Sequence, residues 1–218
     1  EGAELLAAEL LSLHPAEALP VQLRIVRGTH DPAAVIAARR LIELDPALLY
    51  NDCLALSERN DKELRRLGIV ALESRHDDAD VARLLAMFDD KHPTVRHDAR
   101  VACERLSGKP EHREAIMNFV ADVAATRRGP EQWRILEQTC VCIGNLDLES
   151  NANSLLELLD ETRIEVACSA AWALRKIAVA ETYAPIATYC TATLDGQDRR
   201  ELTRPYPCLL YTSDAADE

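Results

Sequence analysis

One spacing recurs along this chain and limits its fold more than any other feature. Apolar or small residues stand at i, i+4, i+7 and i+11 in Val95, Ala99, Ala102, Leu106 and again in Val166, Ala170, Ala173, Ile177. Ile135, Thr139, Cys142 and Leu146 share the frame. Leu64, Gly68, Ala71 and Ala34, Ala38, Leu41 fill its first three places, with Arg75 and Asp45 at the fourth. The frame advances by 30, 31, 40 and 31 residues. These offsets put four side chains on one narrow stripe of an α-helix. Small residues at its centre let a neighbouring helix approach closely, and self-similarity at this period marks stacked helical units.

Other apolar segments alternate with these helices: PALLYNDCLALSE, DVARLLAMF, REAIMNFVADVAA and NSLLELL. The chain therefore alternates a helix A with the striped helix B. Turn residues agree with that register. Asp31 before Pro32, and Asp45 before Pro46, are expected to cap helix starts, and Gly108 and Gly129 to end helices. Helix pairs are expected at about 15–44, 46–75, 77–107, 112–146 and 149–178, after a lone helix and before one starting near Thr182.

Composition fits an all-α chain. Aromatic residues make up 4% and glycines number seven, whereas β-sheets favour aromatic and β-branched residues. A pair of this length cannot bury both its apolar faces alone, so the pairs must stack.

The stretch DDKHPTVRHDARVACERL at 89–106 carries an Asp, a Val-Arg pair, Ala and Leu at set places, echoed by NDKELRRLGIVAL and LDETRIEVACSAAWALRKI. In this it resembles the short-unit bacterial HEAT-repeat proteins, over roughly residues 3 to 195. The resemblance implies a HEAT-type, armadillo-like α-solenoid of stacked antiparallel helix pairs, with about five full repeats and partial ones, running as one domain through residues 1–207. Arg96 and Arg65 stand beside the first stripe position, where later units have Leu136 and Ala167.

The last residues, CLLYTSDAADE, Cys208 to Glu218, fit nothing before them and resemble the in-frame translation of a sequencing-library adapter. Residues 208–218 are expected to be a non-native tail. The chain also lacks an initiating Met, so it is expected to be a metagenomic fragment of a longer bacterial protein. Leaving out Asp214, Asp217 and Glu218 brings the net charge from -12 to -9. An acidic chain is a poor general binder of nucleic acid or anionic membrane. No apolar run is long enough to span a bilayer, so membrane insertion is not expected and a cytoplasmic location is the default. The cysteines lie at irregular spacings within apolar helical patterns, as buried hydrophobes rather than a disulfide framework.

Three sets of residues invite a chemical reading. His97-Asp98 follows Val95-Arg96, where the HEAT-repeat deoxyhypusine hydroxylases carry His-Glu pairs that hold two irons; the equivalent positions, Arg66-Leu67, Glu137 and Cys168, supply no second pair. His30-Asp31 and His76-Asp77 repeat the dipeptide used by all-α phosphohydrolases, but at turns where Asp is wanted as a cap. Cys140 and Cys142 lack the second pair a zinc site needs, and on a helix they diverge by about 200°. No catalytic residue, metal or cofactor is expected.

Arg39, Arg40, Arg65, Arg66, Arg96, Arg100, Arg134, Arg175 and Lys176 all fall on B helices, which in solenoids of this type line the concave face. The expected function is a noncatalytic protein-interaction scaffold that presents this face to an acidic or peptide partner. The contact residues are expected to be Arg65, Arg66, Arg96, Arg100, Arg134 and Trp133. Two alternatives come from the repeat resemblance alone: a lyase of the kind that attaches bilins to phycobiliproteins and, with Trp133 or Trp172 stacking a base, a nucleic-acid binder like the HEAT-like DNA glycosylases.

Overall fold

The computed structural model describes residues 2–11, 15–126 and 129–196; the tail at 208–218 lies outside them. Twelve α-helices and no strand occur among the described residues. They are α1 (Gly2–Leu11), α2 (Pro15–Arg27), α3 (Asp31–Leu44), α4 (Cys53–Ser57), α5 (Lys62–Arg75), α6 (Asp78–Ala86), α7 (Pro93–Leu106), α8 (Pro110–Thr126), α9 (Trp133–Asn145), α10 (Ala152–Glu157), α11 (Ile164–Ile177) and α12 (Tyr183–Gly196). The chain is an all-α, HEAT-type α-solenoid. Its contacts divide it into two compact units, Glu1–Met117 and Asn118–Glu218, with the boundary inside α8.

In the first unit α3, α5 and α7 are the B helices, and α3 packs on α5 as α5 packs on α7. Each also rests on its own A helix: α3 on α2, α5 on α4 and α7 on α6. In the second unit α9 packs on α11, and α11 rests on α10. The stripes face these contacts. Val95, Ala99, Ala102 and Leu106 are buried, as are Val166, Ala170, Ala173 and Ile177. Of the Ile135 set only Leu146 is partly exposed.

A β-carbon built on Gly68 would lie 2.8 Å from the backbone nitrogen of Ser57, so α5 touches the α4 main chain there and only glycine fits. On α9 a β-carbon at Gly144 would meet the Trp172 ring at 2.5 Å and the α-carbon of Ala173 at 3.1 Å.

The B helices are continuous, while three A helices are broken into short pieces. A 3-10 turn at Pro46–Leu49 precedes α4, another at Met87–Asp89 follows α6, and α10 lies between turns at Glu149–Asn151 and Leu158–Asp160. Asn51 and Asp52 sit at the first of these breaks, where the Asp52 carboxylate accepts from Arg27 of α2.

Helix starts follow the expected caps in two of three cases. The Asp45 side chain accepts from the Ala47 N–H, and Asp77 forms a reciprocal capping box with Asp80. Asp31 does not cap α3. His30 occupies the cap position, and the Asp31 carboxylate instead binds Arg59. Among the described residues three non-glycine residues adopt the left-handed conformation, His76, Asp147 and Ala178. Each stands twelve places after the first residue of its stripe, counted from Leu64, Ile135 and Val166.

Candidate B-helix interface

The basic residues named from the sequence do lie on α3, α5, α7, α9 and α11, but they split into two populations. Arg65 is 4% exposed. Its Nε and Nη2 donate to the two carboxylate oxygens of Asp90 at 2.8 and 3.0 Å, and its Nη1 donates to the carbonyls of Arg59 and Asn60. Arg96 repeats part of this, with Nη1 donating to the Asp90 carbonyl at 3.0 Å. In both cases one acceptor, a turn carbonyl, lies six residues before the arginine. The position beside the stripe thus sends its side chain back under the preceding turn. Arg100, 7% exposed, pairs with Glu104 and reaches Nδ1 of His97 at 3.1 Å.

The buried Arg65–Asp90 pair ties α5 to the turn before α7, and removing either member leaves an uncompensated charge in a dry site. Arg65, Arg96 and Arg100 therefore present little of themselves to a partner.

The exposed population forms a ladder of alternating sign. Arg39 on α3 lies 3.9 Å from Glu63 on α5, Glu63 lies 3.3 Å from Arg66, and Arg66 Nε donates to Asp98 on α7 at 2.6 Å. That hydrogen bond to Asp98 is the chief cause that raises the pKa of the Arg66 guanidinium. Further along, Glu73 on α5 faces Arg105 on α7 at 3.4 Å. In the second unit the Trp133 ring is flanked by two guanidinium groups, Arg163 at 4.4 Å and Arg134 at 5.3 Å from its centroid, a cation–π arrangement. Lys176 lies 4.9 Å from the Trp172 centroid and donates to Asn145 Oδ1 at 2.7 Å.

His97 and Asp98 turn to different neighbours, His97 to Arg100 and Asp98 to Arg66. Among the described residues no three His, Cys, Asp or Glu side chains converge as metal ligands would. Cys140 and Cys142 are both fully buried, because α9 is covered on more than one flank. The Cys53 thiol is likewise buried, and burial pushes its pKa up.

One polar group escaped the reading of the B helices. Arg83 lies on an A helix, α6, and donates to the Ser57 hydroxyl and carbonyl. Arg59 and Lys91 belong to turns, and the three line one depression with Arg65. A weak signal was present, since Arg59 and Lys91 flank the Asn60-Asp61 and Asp89-Asp90 steps that precede two B helices.

No protein-family model and no curated protein matches the chain. Among solved structures, a designed armadillo repeat protein aligns over 81% of this chain and 92% of its own, at 15% identity and a TM-score of 0.42. An engineered protein aligns over 81% of this chain and 79% of its own, at 20% identity and a TM-score of 0.35. At these scores neither likeness adds to the helix packing described above. No helix among the described residues is long and apolar enough to cross a membrane.

Proposed function

We propose that this chain is a noncatalytic protein-interaction scaffold, working as one module over residues 1–207, whose B-helix surface receives an acidic or peptide segment of a protein partner. The ladder Arg39, Glu63, Arg66, Asp98 supports this reading most directly. It spreads partly exposed charges over three packed helices, rigid supports that need little ordering when a ligand arrives. Exposed ion pairs are worth only about 0 to 1 kcal/mol each, so carboxylates of a partner can take over Arg39, Arg40 and Arg66 at small cost. Arg134 and Trp133 offer a second, aromatic contact in the other unit. Arg65 acts from beneath, by tying α5 to the turn before α7, where Arg96 and Arg100 also lie buried.

The test is fluorescence anisotropy of a labelled glutamate-rich peptide against the intact chain and its Arg39→Glu, Arg40→Glu, Arg66→Glu triple variant. Binding that falls at least about tenfold in the variant, and weakens with added salt, is the expected result. Equal affinity for both proteins, or no binding by either, would remove the acidic-partner reading.

A further inference from the structure

Two turns of the first unit, one between α4 and α5 and one between α6 and α7, line an open depression of about 320 Å³. Four cations reach it, Arg59, Arg65, Arg83 and Lys91, against two carboxylates, Glu58 and Asp90. That balance is the reverse of the chain as a whole, which carries -12.

The four cations are not equivalent. Arg59 is committed to Asp31 and Arg65 to Asp90. Arg83 has no carboxylate partner among the described residues. Its Nε donates to Ser57 Oγ at 2.8 Å and its Nη2 to the Ser57 carbonyl at 2.9 Å, which fixes the guanidinium plane and leaves Nη1 unused. Ser57 is fully buried, so this grip is anchored in the core of the α4–α5 pair. Among the described residues, exposed Lys91 makes neither an ion pair nor a hydrogen bond, and the side-chain amide of Asn60 on the same rim is also without a partner.

A guanidinium held in place by neutral acceptors, beside an unpaired ammonium and an amide donor, has the composition of an anion site. We propose that this depression binds an oxyanion, a phosphate or carboxylate group, through Arg83, Lys91 and the Asn60 amide. The inference deepens the acidic-partner reading and rests on it for the carrier of the anion: one acidic group of the partner anchors here, at the inter-helix turns, in addition to the charges it meets on the B helices. Arg59 and Arg65 add positive potential, with their guanidinium groups already engaged by Asp31 and Asp90. Glu58, exposed on the rim and unpaired among the described residues, opposes binding.

The ions themselves test the pocket without any peptide. Inorganic phosphate and acetate are titrated into the intact chain, following the NMR signals of Arg83 Nε–H and the Asn60 side-chain amide. Saturable shifts of both signals are expected. They should weaken about tenfold or more in Lys91→Glu and strengthen in Glu58→Gln, changes at exposed positions that leave the fold intact. Saturation by phosphate alone assigns a phosphate ligand and saturation by acetate alone a carboxylate. No saturable shift with either ion overturns the proposal, as does saturation that neither variant changes. A chain that binds glutamate-rich peptide but neither ion loses only this pocket. Ion binding that survives while the Arg39, Arg40, Arg66 variant binds peptide as the parent does removes the B-helix reading and leaves the pocket standing.

Discussion

Arg65 and Arg66 are neighbours on α5, yet their guanidinium groups bind carboxylates in opposite settings: Arg65 grips Asp90 in a dry turn, and Arg66 grips Asp98 at the surface of α7. The Arg65 side chain is 5% exposed and the Arg66 side chain 39%, and that difference sets the energetic scale. Arg65→Ala strands Asp90 and two turn carbonyls, and is expected to cost about 3 to 5 kcal/mol. Arg66→Ala loses a solvent-screened pair, and a double-mutant cycle with Asp98→Asn should give a coupling of about 0.5 kcal/mol that shrinks in high salt. Urea denaturation measures both. Equal losses for Arg65→Ala and Arg66→Ala would mean that the inward pair has no structural role.

How much of this was legible follows from the same two residues. The stripe was readable because burial repeats with the helical period, and Leu64, Gly68 and Ala71 are where the spacing put them. Beyond the stripe the period gives only a direction. One step from Leu64 the side chain of Arg65 can curl under the turn, and two steps away that of Arg66 cannot. Which acid each meets depends on the next unit, some 25 to 32 residues on. The candidate interface was therefore visible as a list of cations and invisible as an arrangement of pairs. Asp31 shows the same limit, because a distant Arg59 drew it away from the capping role its neighbours implied.

Gly68 and Gly144 supply a packing prediction. Gly68→Ala drives a methyl group against the α4 backbone, which cannot yield as a side chain can, and should cost about 1 to 3 kcal/mol. Gly144→Ala meets the edge of the Trp172 ring first, so its cost depends on how far the indole can move, and Trp172 fluorescence should change with it. Gly129→Ala is the control: its φ of 164° suits any residue and nothing crowds its β-carbon. Its midpoint of urea unfolding should match that of the parent.

Asp77 gives the chain a local acid sensitivity. The Asp80 backbone N–H, foremost among its neighbours, donates to the Asp77 carboxylate and holds its pKa below the ordinary value, with the charge of Arg75 acting in the same sense. A carboxyl whose folded pKa is depressed adds stability above its unfolded pKa and loses it as the pH falls through the folded value. Asp77→Asn should keep the capping acceptor and remove this acid-side slope. Asp77→Ala should cost about 1 kcal/mol at neutral pH through the lost cap. Urea midpoints at pH 7 and in the acid range decide it, and parallel pH dependence in Asp77→Asn and the parent would assign the slope to other carboxyls.

Ala178 is the strained member of the left-handed caps. It ends α11 at φ 48°, ψ 39°, with its N–H bonded to the Leu174 carbonyl at 3.0 Å. An L-residue pays about 1 to 2 kcal/mol for that conformation, whereas glycine adopts it freely and loses only about 0.5 to 1 kcal/mol in backbone entropy. Ala178→Gly is therefore expected to stabilise the chain, by up to about 1 kcal/mol. Asp147→Gly should gain less, because aspartate tolerates the left-handed region. Ser107 occupies the same place after Val95 but is right-handed, with φ -63°, and its hydroxyl donates to the Glu104 carbonyl at 2.7 Å. Ser107→Gly should therefore destabilise. The order Ala178→Gly above Asp147→Gly above Ser107→Gly in thermal midpoint is the expected outcome. A loss of stability in Ala178→Gly would show that this cap carries no strain that glycine relieves.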